Sequence, residues 1–510
     1  RKIIQENSKR YTEEPGFSDR LAEIHLNLGD IGGAWEVLNS HGQNPMKSFL
    51  NERFLDIINK TNTTTEELQK RADLGQQVWI NELVTRELLR KSVKTRSIGS
   101  RPIKCHLISS SLDRGGAERQ VAMTLKHMKR EEEFQCSLAV HRMENIRGAG
   151  TYLDDLVGME DQIYNLDGIE FDNDRLSGRE ILIQNEELLG LLDSGVRKKI
   201  RQLIVYFSEK EPDLVHAWQD ETILTCAIAG ALTGVPRILG SARSLRPDEK
   251  TELHIRKRPY LKNCFMEIFS RRENFLSTNS IAGMKSYSEW IGIEESEIEV
   301  NHNGVDFKEI ESRMESKSIR KTIEQFGFTR ENRIVGGLFR LEPGKRPELW
   351  IEAFEYAKKR DDSLRGIIVG GGRMESSLRD WIRESGLDGI VKIIGEVEDV
   401  GGWLSEMDIF LFTSISEGLP NVVIEAQGFG VPVVSTSVGG IPEIVTDGET
   451  GILVNSSSSE QLGREIVKLM SRGSFSRMGE KAKFESRERF AVSKMISRTC
   501  EMYSRVVAEQ

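Results

Sequence analysis

Two carboxylates, Glu417 and Glu425, are separated by seven residues in the run TSISEGLPNVVIEAQGFG. The turn of Gly418, Leu419 and Pro420 closes the loop that carries Glu417, Asn421 and Val422 open a helix, and Glu425 lies further into it. A carboxylate on a loop accepts hydrogen bonds from sugar hydroxyls, one on a helix can take both hydroxyls of a ribose, and the N–H groups of the helix start between them suit phosphate oxygens. Upstream, GGLFRLEPGKRPELW sets Arg340 at the carboxyl end of a strand and Lys345 just before a helix. Two cations converging where open α/β sheets bind ligands fit a diphosphate. A third element, SSSLDRGGAERQ, offers Gly115 and Gly116, where backbone can approach a phosphate or a sugar ring. Taken singly, a Gly-Gly turn, a surface Arg and Lys, or two acids at this spacing are ordinary structural features. Two acids set in a Gly-Pro-rich loop and helix start, beside those cations, are not.

These residues need strands to hold them. From residue 103 onward, short apolar runs alternate with amphipathic helices, the texture of βαβ units in a parallel sheet. One series of strands is expected at Ile103–Ser109, Cys136–His141, Leu214–Ala217 and Arg237–Gly240. A second is expected at Ile334–Phe339, Gly366–Gly370, Val391–Ile394, Ile409–Phe412, Val431–Ser435 and Gly451–Val454. Two series, each opening with a strand and a Gly-containing turn, imply two doubly wound domains. The polar turn NHNGVD and a helix after it form the connection, and a last helix from about Ala491 to Glu509 is free to pack back on the first domain. The expected organisation is therefore a helical extension over 1–100, Rossmann-like domains over 101–312 and 313–490, and a terminal helix over 491–510. Within the extension, RLAEIHLNLGDIGGAWEVL reads as two short antiparallel helices that resemble a tetratricopeptide-type unit.

The 510 residues suggest about three folding units at roughly 150 residues each. A net charge of −9 excludes a globally basic nucleic-acid-binding protein, and 38% hydrophobic with 30% charged residues fits a globular chain. Five cysteines without a C-x-x-C pair argue against a disulfide framework or a zinc ribbon. The apolar run Cys226–Val235 is about half of what a bilayer span needs, and no basic-then-apolar leader opens the chain. A cytoplasmic location follows as the expectation, with attachment at the inner face of the cytoplasmic membrane left open. Against the overall negative charge, Arg237–Arg272 holds ten basic and four acidic residues, a local balance of +6. A solvated helical face is the plain reading. A surface for an anionic acceptor glycan, a lipid-linked diphosphate or an acidic membrane is the sharper one, with Arg243, Arg256, Lys257 and Arg258 in contact.

With these pieces in place, the sequence resembles the family 4 retaining glycosyltransferases of the GT-B fold over about residues 104–505. The matching pieces are GGAE at 115–118, HNGVD at 302–306, Arg340 with Lys345, GGGR at 370–373, EGLPNVVIEA, and GVPVVSTSVGGIPEIVTDGETGILV after it. The resemblance implies a nucleotide-sugar donor, read here as a UDP-sugar, bound mainly by the second domain, and an acceptor bound mainly by the first. It implies no metal and no cofactor. It assigns the donor diphosphate to Arg340 and Lys345, the ribose to Glu425 and the donor sugar to Glu417. Backbone N–H contacts fall to Asn421 and Val422, with Gly418 and Leu419 beside them and Gly116 closing from the first domain.

One departure bears on catalysis. Many relatives carry His-x-His at the end of a first-domain strand, whereas this chain has His216-Ala217-Trp218. Trp218 has no acid or base to offer, but its ring can stack on a sugar. Gln219, Asp220 or His216 then supplies the polar contact, and Arg340, Lys345, Glu417 and His216 are the expected catalytic set. The expected activity is retaining transfer to a growing surface or capsular polysaccharide, of the Vi-antigen type among others, or to its lipid-linked precursor. The alternatives are a catalytically impaired nucleotide-sugar-binding scaffold acting through its helical N-terminus, and a pyridine-nucleotide oxidoreductase. The oxidoreductase is disfavoured because Glu375 stands where G-x-G-x-x-G needs its last glycine.

Overall fold

Continuous apolar runs bounded by turn residues become strands buried on both faces. In the computed structural model, which describes residues 79–99, 101–143, 151–171, 175–247, 260–471 and 475–509, they form two parallel sheets. The first contains β1 (Ile103–Ser109), β2 (Phe134–Val140), β3 (Ile163–Asn165), β4 (Leu214–Trp218), β5 (Arg237–Ala242), β6 (Asn274–Thr278) and β7 (Ile298–Val300). Their order is β3-β2-β1-β4-β5-β6-β7. The second contains β8 (Arg333–Leu338), β9 (Leu364–Val369), β10 (Val391–Gly395), β11 (Ile409–Phe412), β12 (Val433–Thr436) and β13 (Gly451–Val454), ordered β10-β9-β8-β11-β12-β13. Each order reverses beside its first strand, between β1 and β4 and between β8 and β11. Open α/β sheets bind ligands at such switch points, beyond the carboxyl ends of the strands.

Seven of the ten expected strands shift by a residue or two at an end. Cys136–His141, for example, is observed as Phe134–Val140. Three strands had no counterpart in the sequence reading. β3 and β7 are only three residues long, and β6 (NFLST) is too polar to stand out as an apolar run.

The tetratricopeptide-like hairpin lies outside the described residues. The helix α1 (Trp79–Arg90), read as part of the extension, instead belongs to the first domain's packing. Its Leu83, Val84, Leu88 and Leu89 are fully buried among residues of that domain. On the other face of the first sheet lie α2 (Gly116–Met128) and the last helix, Val492–Ala508, whose Met495, Ile496, Met502, Tyr503 and Val506 share a core with β1 and β2. The chain passes between domains twice at one place: Val305 N–H donates to Phe490 O (2.8 Å) and Val492 N–H donates to Val305 O (3.0 Å). Phe307 already sits in the second core, so packing on that domain begins ahead of the boundary read at 312.

Three histidines are buried in the first domain. Their Nδ1 atoms meet Tyr206 OH (His106, 2.7 Å), Gln202 Oε1 (His141, 2.9 Å) and Tyr503 OH (His216, 2.8 Å). Burial lowers their pKa values to about 4, 4 and 3. An unfolded histidine takes a proton near pH 6.5, so below that pH the unfolded chain binds protons that the folded one refuses. The stability present above pH 6.5 is therefore lost as pH falls toward 4. We expect the melting temperature to drop over that window; a flat profile from pH 6.5 to 4.5 would contradict it.

Candidate functional site

The β8 and β11 turns meet at the second switch point. After β8, Pro343–Lys345 form a single 3-10 turn before the helix Pro347–Lys358. Thr413, just past β11, clasps that turn by donating its hydroxyl to Lys345 O (2.9 Å) and Arg346 O (3.0 Å). Arg346 returns the tie through Nε to Thr413 O (2.7 Å) and Nη2 to Ser414 O (3.0 Å). The result brings Lys345 against Glu417 as an ion pair, with the ammonium 5.7 Å from the Phe412 ring centre. Arg340, two residues past the end of β8, is exposed and makes no side-chain hydrogen bond or ion pair among the described residues. A free cation and a paired one thus flank the same turn.

The helix α3 (Asn421–Gly428) begins where the Gly-Leu-Pro turn ends, so Asn421 and Val422 have no intrahelical acceptor for their N–H groups. Gly418 is packed tightly: a Cβ there would lie 2.8 Å from both Arg243 O and Asn279 Oδ1 of the first domain. Glu425 is only 2% exposed and pairs with Arg119 of α2, across the domains. Gly115 and Gly116 start α2, and Gly116 O accepts from Asn421 Nδ2 at 3.3 Å.

A seam of amides runs alongside. Asn303 Nδ2 donates to Leu419 O (2.7 Å) and Asn421 Oδ1 (2.7 Å), and Gln120 Nε2 donates to Asn421 Oδ1 (3.2 Å) and Gly304 O (2.9 Å). Glu443 completes the tie by accepting the N–H groups of Ile281 and Ala282, both at 2.8 Å, at the start of a first-domain helix. Arg119, Gln120, Asn303, Arg346 and Glu443 were not singled out in the sequence. All five stand inside stretches already noted, GGAERQ, HNGVD, GGLFRLEPGKRPELW and GVPVVSTSVGGIPEIVTDGETGILV, which was the available signal.

The first-domain candidates form a stack. His216 is 2% exposed, its ring 4.9 Å from that of Trp218, and the Arg243 guanidinium lies 4.5 Å over Trp218. Trp218 is 3% exposed with that face already covered, so sugar stacking on it requires Arg243 to move. His216 is a buried neutral imidazole engaged by Tyr503, the position of a packing support for Trp218 rather than of a catalytic base. Gln219 is held by Ser110 and Glu118, and Asp220 accepts from Tyr287 OH. Arg243 donates to Asn303 Oδ1, its Nε is buried without a partner, and burial lowers its pKa to about 9. Arg256, Lys257 and Arg258 lie outside the described residues. Among the described residues, no group of three or more His, Cys, Asp or Glu is placed to hold a metal, and no helix is long and apolar enough to cross a membrane.

Residues 318–486 match the family described as glycosyl transferases group 1. That stretch holds the whole of the second sheet together with Arg340, Lys345, Glu417 and Glu425. The chain is also 27% identical over 373 residues to the Salmonella typhi Vi polysaccharide biosynthesis protein VipC/TviE, covering 70% of this chain and 63% of that protein's length. It is 24% identical to the Escherichia coli UDP-Gal:alpha-D-GlcNAc-diphosphoundecaprenol alpha-1,3-galactosyltransferase, over 53% of this chain and 70% of that one. The crystal structure of Anabaena HepE in complex with UDP and glucose superposes with a TM-score of 0.60 at 21% identity, over 79% of this chain and 100% of that chain. This last likeness establishes the shared GT-B arrangement of two parallel-sheet, Rossmann-like domains.

Proposed function

We propose that the chain is a retaining, metal-independent glycosyltransferase of the family 4 type. It moves a sugar from a UDP-sugar to a growing capsular or other surface polysaccharide, or to a lipid-linked glycan. The observation that carries this reading is the convergence of Arg340, Lys345, Glu417, Glu425 and the α3 N-terminus on one switch point. The two relatives named above, one concerned with Vi polysaccharide and one acting from a UDP-sugar on a diphosphoundecaprenol-linked glycan, point the same way. In this reading the second domain holds the donor and the first the acceptor. A lipid-linked acceptor would place the work at the inner face of the cytoplasmic membrane.

The chemistry asked of the chain is alignment and charge stabilisation. The anomeric C–O bond to the diphosphate breaks, and the acceptor oxygen bonds to the same face of the sugar. The acceptor's proton passes to a departing phosphate oxygen. Arg340 and Lys345 meet the charge that builds on the diphosphate, Glu425 fixes the ribose and Glu417 the donor sugar. Arg243, a cation with no carboxylate against it among the described residues, supports an anionic acceptor group in the first-domain half of the cleft.

The test crosses a panel of nucleotide sugars with neutral and acidic acceptor glycans in the presence of a chelator, with products read by mass spectrometry and anomeric configuration by NMR. We expect one uridine-linked donor to be consumed with retained configuration, and acidic acceptors to be favoured. An inverted product, or loss of transfer on chelation, would overturn the mechanism. Tight donor binding with neither transfer nor hydrolysis would favour the scaffold reading.

A further inference from the structure

Arg119 is the residue that the reading above leaves unused. It lies in the first turn of α2, after the Gly115-Gly116 turn, and its guanidinium pairs with Glu425, the carboxylate assigned to the ribose. Glu425 is 2% exposed and the Arg119 side chain 22%, so the pair is largely withdrawn from water. Among the described residues no other side chain hydrogen-bonds to Glu425. Glu425 is therefore capped by a cation from the opposite domain.

Ribose hydroxyls can replace Arg119 as hydrogen-bond donors to Glu425, but they bring no negative charge. A guanidinium displaced from its partner in a poorly hydrated site is costly unless another anion takes it up. In a nucleotide-sugar donor, the group bonded to the ribose 5′ carbon is the diphosphate. Its expected position, the α3 N-terminus, lies against the same face of α2, since Gly116 O and Gln120 Nε2 both contact Asn421.

Resting on the assignment of Glu425 to the ribose, we infer that Arg119 guards Glu425 until a donor binds and transfers to the donor diphosphate when ribose takes its place. Arg119 is thus a competitor of the nucleoside and an ally of the nucleotide. The opposite signs separate this role from that of a fixed brace between domains.

The experiment is calorimetric titration of uridine and of UDP into the whole chain and its Arg119→Gln, Arg119→Lys and Glu425→Gln variants, with thermal melts of each. Arg119→Gln should bind uridine several-fold more tightly and UDP about tenfold more weakly, the loss of one charge-assisted phosphate contact. Arg119→Lys keeps the charge but not the guanidinium fork and should lose less UDP affinity than a neutral residue would, which keeps the test open should Arg119→Gln fail to fold. If Arg119→Gln shifts both ligands in the same direction or neither, or if Arg119→Lys loses UDP as fully as a neutral residue would, the hand-over is wrong while the ribose assignment stands. If Glu425→Gln leaves uridine affinity unchanged, the ribose assignment fails and takes the hand-over with it.

Discussion

Replacing Lys345 by alanine should lower sugar transfer by about 10²- to 10³-fold, the usual effect of removing one preorganised donor from a developing charge. The fold should survive. Lys345 is partly exposed at the rim of a turn, and the backbone of that turn is clasped by Thr413 and Arg346 independently of the ammonium. The substitution leaves the mostly buried Glu417 carboxylate, 12% exposed, without its partner, so a stability loss of about 1–3 kcal/mol is expected. Single-turnover kinetics with saturating donor, alongside a thermal melt, check both halves. Near-normal turnover in a folded Lys345→Ala variant would remove Lys345 from the charge-stabilising role. Glu417→Gln is the informative companion: it frees Lys345 without deleting it, so it should impair donor-sugar binding more than it impairs UDP binding.

Gly439→Ala should be nearly as damaging by a different route. Gly439 has φ +54°, and a Cβ there would lie 1.8 Å from the carbonyl oxygen of Glu417. The next residue, Gly440, donates its N–H to Gly418 O at 3.0 Å. The Gly-Gly turn is therefore the mould against which the Glu417 loop is cast. A methyl group must either push that loop away or distort the turn, at a cost of about 2–4 kcal/mol from left-handed backbone and overpacking together. Gly448→Ala is the control: φ is +76°, but nothing lies within 4 Å of its Cβ, so only the backbone cost of about 1–2 kcal/mol applies. Denaturant titrations and UDP-sugar binding on both variants decide it. Equal destabilisation, with donor affinity intact in Gly439→Ala, would show that the close approach is not what holds Glu417 in place.

The second domain was largely legible before its structure. Ile409–Phe412 and Gly451–Val454 were recovered to the residue, because an apolar run bounded by Gly, Pro and acidic turns has one natural reading in a parallel sheet. Motif spacing likewise brought Glu417, Asn421 and Glu425 onto one loop and helix start. Contacts that join distant parts of the chain were not legible. Arg119 and Glu425 are 306 positions apart, and no periodicity within either helix reports which cation will face which acid. Trp218 shows the same limit from the other side. Its ring chemistry suggested a sugar platform, yet the burial that covers it comes from Arg243 just past the next strand and from His216 beneath. The first domain also hid three strands, because short or polar segments become strands only when neighbours already in the sheet supply their hydrogen bonds.

The two passages between domains, at Val305 and at Phe490–Val492, lie hydrogen-bonded side by side. A single connecting strand would let the two halves swivel freely about its bonds. Two strands fastened together behave as a hinge with a fixed pin: the halves can open and shut, but rotation of one past the other is opposed. The gap between Arg119 and Glu425 would then be governed by a single opening angle, and every contact across the cleft would break and re-form in concert with it.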